Sequence, residues 1–210
     1  MQPLLDRACT ALAGTSLHLP SGLNADAAQA RIDAAYVLHQ RAGVSCGLQA
    51  EELKALLRSL AESGDTLHAW VLGEMAAQMG IDRRVIVEAR WFQGRSQVHD
   101  LYWCTHRVLL ASRFLHVALR HKDWSSELDT CVLAGPWIEE TENIDLAGEV
   151  LFCIQHCAAE PSGLYGRLLE WLVSCQRADG SFGAPDPSPF ARAHTTAAAL
   201  LALAGEIERG

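Results

Sequence analysis

The chain has 210 residues and a formal net charge of −8 at neutral pH, and half of its residues are hydrophobic. This length suits one domain or a closely joined pair of domains, and it allows a sizeable buried core. The negative charge, together with the lack of a basic run, argues against nucleic acid or an anionic membrane surface as the main partner.

Helical patterning covers the first half of the chain. Alanine and leucine are frequent and strict polar–apolar alternation is scarce, which favours helices over sheet. The predicted helices span residues 3–13, 25–42, 51–61, 66–79 and 83–92. Glycines follow several of them, and Asp65 or Thr66 is placed to cap the fourth.

The second half continues the pattern after a break at Gly94. Its longest periodic segment predicts a helix from Val98 to Leu119, and another helix opens at Ser125 or Ser126. Three more are predicted at 145–159, 164–177 and 191–207. Helix and loop together take roughly 18 to 22 residues, a spacing typical of antiparallel helix pairs. We therefore predict an all-α protein of about ten helices, with residues 1–210 in a single domain and a soft internal boundary near Gly94.

A local unit near the C-terminus is more specific than the general pattern. A helix ends near Gln176, and the residues Asp-Gly-Ser-Phe at 179–182, a loop and a helix that opens with His194 follow. Glycine accepts the positive φ of a tight turn, and aspartate can bond its own backbone there. This unit resembles the QW-type repeat of terpenoid cyclases and protein prenyltransferases, with Phe182 where that family usually has tryptophan.

The resemblance implies an α/α toroid, closed or partial, in which helices are arranged in antiparallel pairs. In the family, the glutamine of the repeat caps a neighbouring helix. Protein prenyltransferases have a zinc-binding histidine at the start of a late toroid helix, so the resemblance implies that role for His194 by position. The Asp-x-Asp-Asp signature of class II cyclases is absent from the sequence.

A fainter similarity concerns two short motifs. Thr105-His106 and His194-Thr195-Thr196 are similar to steps in uncharacterised helical proteins from actinobacterial natural-product clusters. This similarity pairs His106 with His194 and implies no defined reaction.

Two histidines and a tyrosine share one face of the helix predicted from Val98. His99, Tyr102 and His106 follow one another at steps of three and four, the spacing of one helical face. Polar atoms on an otherwise apolar face cost stability unless they find partners, and a metal or a substrate would supply them. The alternative is that both histidines are hydrogen-bonded to backbone or to water.

The helix predicted from Asp145 carries a second stripe of ligand-type side chains. Its members lie at steps of four, four and three: Asp145, Glu149, Cys153 and His156. A carboxylate between apolar neighbours, as at Glu149, is rarely buried without a partner, and thiolate, imidazole and carboxylate are all sound zinc ligands. The alternative is that Cys153 is a small core residue and that His156 faces solvent.

These residues predict first a metal-dependent tailoring enzyme, which acts on a small, largely apolar natural-product intermediate in a central helical cavity. His106 and His194 are the main predicted ligands of a divalent transition metal (Zn, Fe or Cu), and Glu149 or His156 completes the set. The candidate acid–base or hydrogen-bonding groups are His99, Tyr102 and Glu149. No glycine-rich phosphate loop or other motif for an organic cofactor occurs.

Two other functions remain open. One is a metal-free terpenoid-type cyclase or isomerase, in which aromatic side chains such as Tyr102, Trp103 and Phe114 shield a cation. The other is a non-catalytic helical binding or scaffold module, in which the histidines are simply satisfied in the core.

The sequence also predicts where the protein works. No apolar stretch reaches the ~20 residues that span a bilayer, and the N-terminus lacks the basic and apolar regions of a signal peptide. The seven cysteines are odd in number and scattered, as expected of reduced thiols. We therefore expect a cytoplasmic protein with a small-molecule substrate, acting alone or as a homodimer, without a nucleic-acid partner or membrane insertion.

Overall fold

The computed structural model describes residues 29, 31–33, 35–36, 39–40, 43, 50–81, 96–114, 117–157, 163–183 and 189–207. All regular structure in these ranges is helical, which confirms the all-α class. The helices predicted at 3–13 and 83–92 lie outside the described residues. None of the described helices is long and apolar enough to cross a membrane.

Contacts divide the chain into two compact units, Met1–Gln93 and Gly94–Gly210. In the first unit, α1 (Ala50–Glu62) packs against α2 (Thr66–Gln78). Leucines at helical spacing form the buried face of α1. Asp65 caps α2 by accepting a hydrogen bond from the backbone N–H of His68, as the sequence predicted. That the whole chain forms one domain stays a prediction.

The second unit contains five described α-helices. Their bounds are α3 (Gln97–Ala111), α4 (Ser125–Glu140), α5 (Ile144–Cys157), α6 (Gly163–Ser174) and α7 (Pro189–Ile207), and a short 3₁₀ helix (His121–Asp123) precedes α4. Asn143 is the residue before α5, and its Oδ1 accepts a hydrogen bond from the Leu146 N–H at 3.1 Å. This contact fixes the start of α5 in the manner of an N-cap.

Helix α5 is the central helix of the second unit. It contacts α3, α4, α6 and α7, and ten of its 14 residues are buried. A helix that is apolar around its whole circumference is stable only in an interior, because it has no polar face to turn to water. Among the described buried residues, Glu149 on this helix is the only carboxylate.

Helix α3 is shorter than its periodicity predicted, because it ends at Ala111 and not at Leu119. The Phe114 N–H donates to the Leu109 carbonyl at 2.8 Å, and the Arg113 N–H donates to the Leu110 carbonyl at 3.1 Å. These two bonds, with Arg113 at a φ of 50°, form a Schellman cap. The prediction was wrong here because glycine usually marks such a cap, and this one is built without glycine.

Helices α5 and α7 approach closely at Gly148. A Cβ atom at this position would lie 2.7 Å from the carbonyl carbon of Ala198 and 2.8 Å from the backbone nitrogen of Ala199. Only glycine allows the two backbones to come so near. Gly148 lies between Asp145 and Glu149 in the chain, and Ala198 lies one turn after His194. The contact therefore places the start of α7 beside the first turns of α5.

We expect Gly148→Ala to lower the free energy of unfolding by about 1–3 kcal/mol, because the added methyl group overpacks the helix contact. Gly166→Ala on α6 is the matched control, since a Cβ atom there meets nothing within 4 Å. The control should gain about 0.5–1 kcal/mol from higher helix propensity. Urea unfolding followed by circular dichroism measures both changes, and equal effects of the two substitutions would contradict the close approach.

Candidate functional site

Three helices of the second unit bring polar side chains together. Helix α3 contributes Tyr102, Thr105 and His106, α5 contributes Asp145 and Glu149, and α7 contributes His194. The α3 residues are three and four positions apart and the α5 residues are four apart, so each set lies on one face of its helix. We call these six residues the polar cluster.

Glu149 is the most deeply buried member of the polar cluster, with 4% of its surface exposed. Its Oε2 accepts a short hydrogen bond from Thr105 Oγ1 and lies 3.5 Å from His106 Nδ1. Its other oxygen, Oε1, lies 3.8 Å from His194 Nε2. A carboxylate this far from water is tolerated only because it faces hydrogen-bond donors.

Asp145 repeats this arrangement one helical turn earlier. Its Oδ2 accepts a hydrogen bond from the Tyr102 hydroxyl at 2.8 Å, and its Oδ1 lies 3.7 Å from His194 Nε2. Oδ1 is buried and makes no hydrogen bond to any described residue. Each carboxylate therefore has one oxygen held by a hydroxyl of α3 and the other oxygen facing His194.

Three side chains could bind one metal ion together: Asp145, Glu149 and His194. Each offers one ligand atom, and these three atoms lie within 4.8 Å of one another. The described residues contain no other group of three potential metal ligands. The side chain of His194 is 36% exposed, whereas that of Glu149 is 5% exposed. His194 therefore marks the side on which a small molecule or ion would reach the three atoms.

The pKa values of Asp145 and Glu149 are shifted in opposite directions. Burial raises the pKa of Glu149, but the attraction of His106 and His194 and the hydrogen bond from Thr105 prevail, so this pKa lies below its ordinary value. Burial and repulsion by Glu149 raise the pKa of Asp145, against the attraction of His194. Two carboxyl groups whose pKa values are pushed apart are typical of sites that transfer protons.

Tyr102 stays a neutral hydrogen-bond donor in this environment. Burial raises the pKa of its hydroxyl, and the nearby carboxylates Asp145 and Glu149 raise it further. His106 Nδ1–H donates to the Tyr102 backbone carbonyl at 2.9 Å. Within the polar cluster, the same nitrogen lies 3.5 Å from Glu149 Oε2.

Two of the predicted site residues lie outside the polar cluster. His99 is exposed, and its Nδ1 forms a hydrogen bond with Ser96 Oγ at 2.6 Å. His156 Nε2 donates to the Val117 carbonyl at 3.0 Å. Each of these imidazoles is thus hydrogen-bonded to a residue outside the polar cluster.

Asp145 lies in the predicted stripe of ligand-type side chains and Thr105 stands beside His106 in the Thr-His motif, but neither was among the site residues predicted from the sequence. The signal was present as two matched pairs, because Tyr102 and Thr105 are three residues apart and Asp145 and Glu149 are four apart. Two hydroxyls one turn apart can serve two carboxylates one turn apart only if the helices are neighbours, and neither helix alone reveals that.

The Asp-Gly turn after α6 helps to place the start of α7. Asp179 Oδ1 accepts a hydrogen bond from the Ser181 N–H at 3.0 Å, and Gly180 has a φ of 82°. Gln176 Nε2 donates to the Gly180 carbonyl at 3.1 Å, so its amide closes its own turn. Buried Phe182 donates its N–H to Thr196 Oγ1 at 3.1 Å, which links the turn to the helix that carries His194.

Comparisons with family models, with curated proteins and with solved structures give no match. What the protein does is therefore inferred from its own side chains. Within the described residues, the polar cluster contains the one group of three potential metal-ligand side chains.

We expect Asp145→Asn and Glu149→Gln to change the stability of the metal-free protein in opposite directions at pH 7. The folded-state pKa of Asp145 is raised, so its ionisation destabilises the fold. The gain in Asp145→Asn is therefore absent below the unfolded pKa of about 3.9, grows as pH rises above that value and is complete above the raised folded-state pKa.

The folded-state pKa of Glu149 is lowered, so its stabilisation is complete above its unfolded pKa of about 4.3 and is lost as pH falls through the folded value. Glu149→Gln should cost about 2 kcal/mol at neutral pH. Urea unfolding across a pH series measures both effects. Changes of the same sign at pH 7 would contradict the opposite pKa directions.

Proposed function

We propose that the protein is a metal-dependent enzyme whose divalent transition metal is bound by Asp145, Glu149 and His194. The observation that supports this most strongly is the convergence of Asp145 Oδ1, Glu149 Oε1 and His194 Nε2 from two helices. The nitrogen lies 3.7 and 3.8 Å from the two oxygens, beyond hydrogen-bond length, so the three atoms surround a gap.

The size of this gap suits a small metal ion. Ligands that lie about 2.0–2.1 Å from zinc in a tetrahedral site are about 3.3 Å from one another. Side-chain shifts of a few tenths of an ångström would bring the two distances from His194 Nε2 to that value. Carboxylate and imidazole groups together suit zinc, iron and manganese.

The charge of the site also supports a cation. Asp145 and Glu149 lie one turn apart on the same helix, where like charges repel. This repulsion contributes to the raised pKa of Asp145. A cation between the two carboxylates would remove the repulsion and give the buried Asp145 Oδ1 the partner that no described residue supplies.

Three protein ligands leave at least one coordination position for water or substrate. A metal held in this way would lower the pKa of a bound water or polarise a substrate carbonyl. In this proposal Tyr102 orients Asp145, and His106 supports the charge of Glu149 instead of binding the metal. His99 and His156 take no part, because each is hydrogen-bonded elsewhere.

We propose a small, largely apolar molecule as the substrate. Leu201 follows His194 by seven residues, so both lie on the same face of α7. Leu200 and Leu201 are exposed, and Leu201 lies roughly 10 Å from His194 along the helix axis. Apolar surface is thus present on the helix face that carries His194.

We also propose that the helices belong to a toroid-like array and that the protein works in the cytoplasm. The array is supported by the contacts between consecutive helices from α3 to α6 and by the tight turn at Gly180. The cytoplasm is supported by the five described cysteines, which are free thiols.

A metal-free acid catalyst, such as a terpenoid-type cyclase or isomerase, is the second candidate. The observation in its favour is the raised pKa of Asp145. Tyr102 holds Oδ2 of this carboxyl group, and Oδ1 has no hydrogen-bond partner among the described residues. A proton on Oδ1 could therefore be given to a substrate that enters beside His194.

Metal analysis of the full-length protein, purified without a histidine tag, separates the two candidates. We expect one zinc, iron or manganese ion per chain. His194→Ala and Glu149→Gln should each lower the affinity at least about 100-fold, because each removes a ligand. His156→Ala is the matched control and should retain the metal, with circular dichroism confirming the fold of every variant.

A wild-type protein that takes up none of these ions would contradict the metal-dependent function. Binding of isoprenoid analogues by the metal-free protein, lost in Asp145→Asn, would then support the second candidate. If neither a metal nor a small molecule binds and a tight protein partner is recovered on pull-down, a helical binding or scaffold module is favoured.

A further inference from the structure

We infer that Tyr102 and Thr105 determine which metal the polar cluster accepts, because they confine Asp145 and Glu149 to coordination through one oxygen each. This inference rests on the proposed function. It adds a selectivity, for small ions such as Zn²⁺ over Ca²⁺, and assigns that selectivity to two residues of α3 that bind no metal themselves.

The hydroxyls and the carboxylates are matched in pairs. Tyr102 and Thr105 are three residues apart on α3, about 4.5 Å along its axis, whereas Asp145 and Glu149 are four apart on α5, about 6 Å. The longer tyrosine side chain makes up the difference, because its hydroxyl is still 2.8 Å from Asp145 Oδ2. Thr105 Oγ1 donates to Glu149 Oε2 directly.

The hydrogen of the Thr105 hydroxyl is directed to Glu149 by its neighbours. The backbone carbonyl of Tyr102 already accepts the His106 Nδ1–H at 2.9 Å. The Thr105 hydroxyl lies 3.2 Å from the same carbonyl, a longer contact than the one it makes with Glu149. Thr105 is fully buried, so water cannot replace Glu149 as its acceptor.

Binding through both oxygens would disturb these bonds. A bidentate carboxylate presents its two oxygens to the metal at similar distances. Because Oε1 of Glu149 and Oδ1 of Asp145 face His194 while Oε2 and Oδ2 face α3, each carboxylate would have to rotate, which would lengthen or bend its hydrogen bond from Thr105 or Tyr102. A weakened bond is most unfavourable at Thr105, which is fully buried. The arrangement therefore favours one oxygen from each carboxylate.

This restriction discriminates between metals. Ca²⁺ takes six to eight oxygen ligands and commonly uses bidentate carboxylates, whereas Zn²⁺ is satisfied by three protein ligands and a water. Two single oxygens and one imidazole nitrogen suit Zn²⁺ and leave Ca²⁺ far short of its usual ligand number. Removing the Thr105 or Tyr102 hydroxyl frees the second oxygen of its carboxylate, which should reduce the difference between the affinities for Zn²⁺ and for Ca²⁺.

The test is calorimetric titration of metal-stripped, tag-free, full-length protein with ZnCl₂ and with CaCl₂. Thr105→Val keeps the shape of the side chain and removes the hydroxyl, and Thr105→Ser keeps the hydroxyl. We expect Thr105→Val to weaken Zn²⁺ binding about 10- to 100-fold and Ca²⁺ binding much less, so that the Zn²⁺/Ca²⁺ affinity ratio falls at least tenfold. Thr105→Ser should keep the wild-type ratio, and Tyr102→Phe should lower it independently.

The outcomes separate this inference from the proposed function. If Zn²⁺ binds to the wild type and both Thr105→Val and Tyr102→Phe weaken Zn²⁺ and Ca²⁺ by the same factor, the hydroxyls only stabilise the fold and the inference is overturned alone. If the wild type binds neither ion, the proposed metal site fails as well. Because Tyr102→Phe is a second and separate arm, a Thr105→Val protein that does not fold leaves the test intact.

Discussion

The buried carboxylate of Glu149 is the constraint on which the second unit depends. It lies in the middle of α5, the helix that contacts α3, α4, α6 and α7. A charged group in such a place is very unfavourable unless donors surround it. Thr105 on α3 donates a hydrogen bond to Glu149, and the imidazoles of His106 on α3 and His194 on α7 lie 3.5 and 3.8 Å from its two oxygens. The helices that pack around α5 therefore also supply the side chains that stabilise its buried carboxylate.

The same packing explains why the polar cluster is compact. Gly148 lies next to Glu149 in the chain, and its missing side chain lets the backbone of α7 come close. The bond between Phe182 and Thr196 ties the preceding turn to α7 just after His194. The backbone on either side of His194 is thus positioned by a helix contact and by a turn, which place the imidazole near the two carboxylates.

The unequal environments of the two carboxylates underlie both candidate functions. Glu149 accepts a hydrogen bond from Thr105 and is attracted by His106 and His194, so it remains ionised, whereas burial and repulsion by Glu149 make Asp145 bind a proton more readily. A metal ion and a proton would relieve the same excess of negative charge between Asp145 and Glu149. The two proposals therefore differ in the cation that occupies the site, and they share its physical cause.

Periodicity in the sequence determined the all-α class and the positions of α1, α2 and α5 to within a few residues. It also identified Glu149, Tyr102 and His194 as candidate site residues. These are local properties, since the spacing of apolar residues defines a helix face and a carboxylate on an apolar face needs a partner. Only the tertiary structure decided which partners they meet. Tyr102 and Asp145 are 43 residues apart, and Thr105 and Glu149 are 44 apart, so their pairing depends on how α3 lies beside α5. The same reason separates His99 and His156 from the cluster, because a helical pattern shows which residues share a face and not which neighbour that face meets.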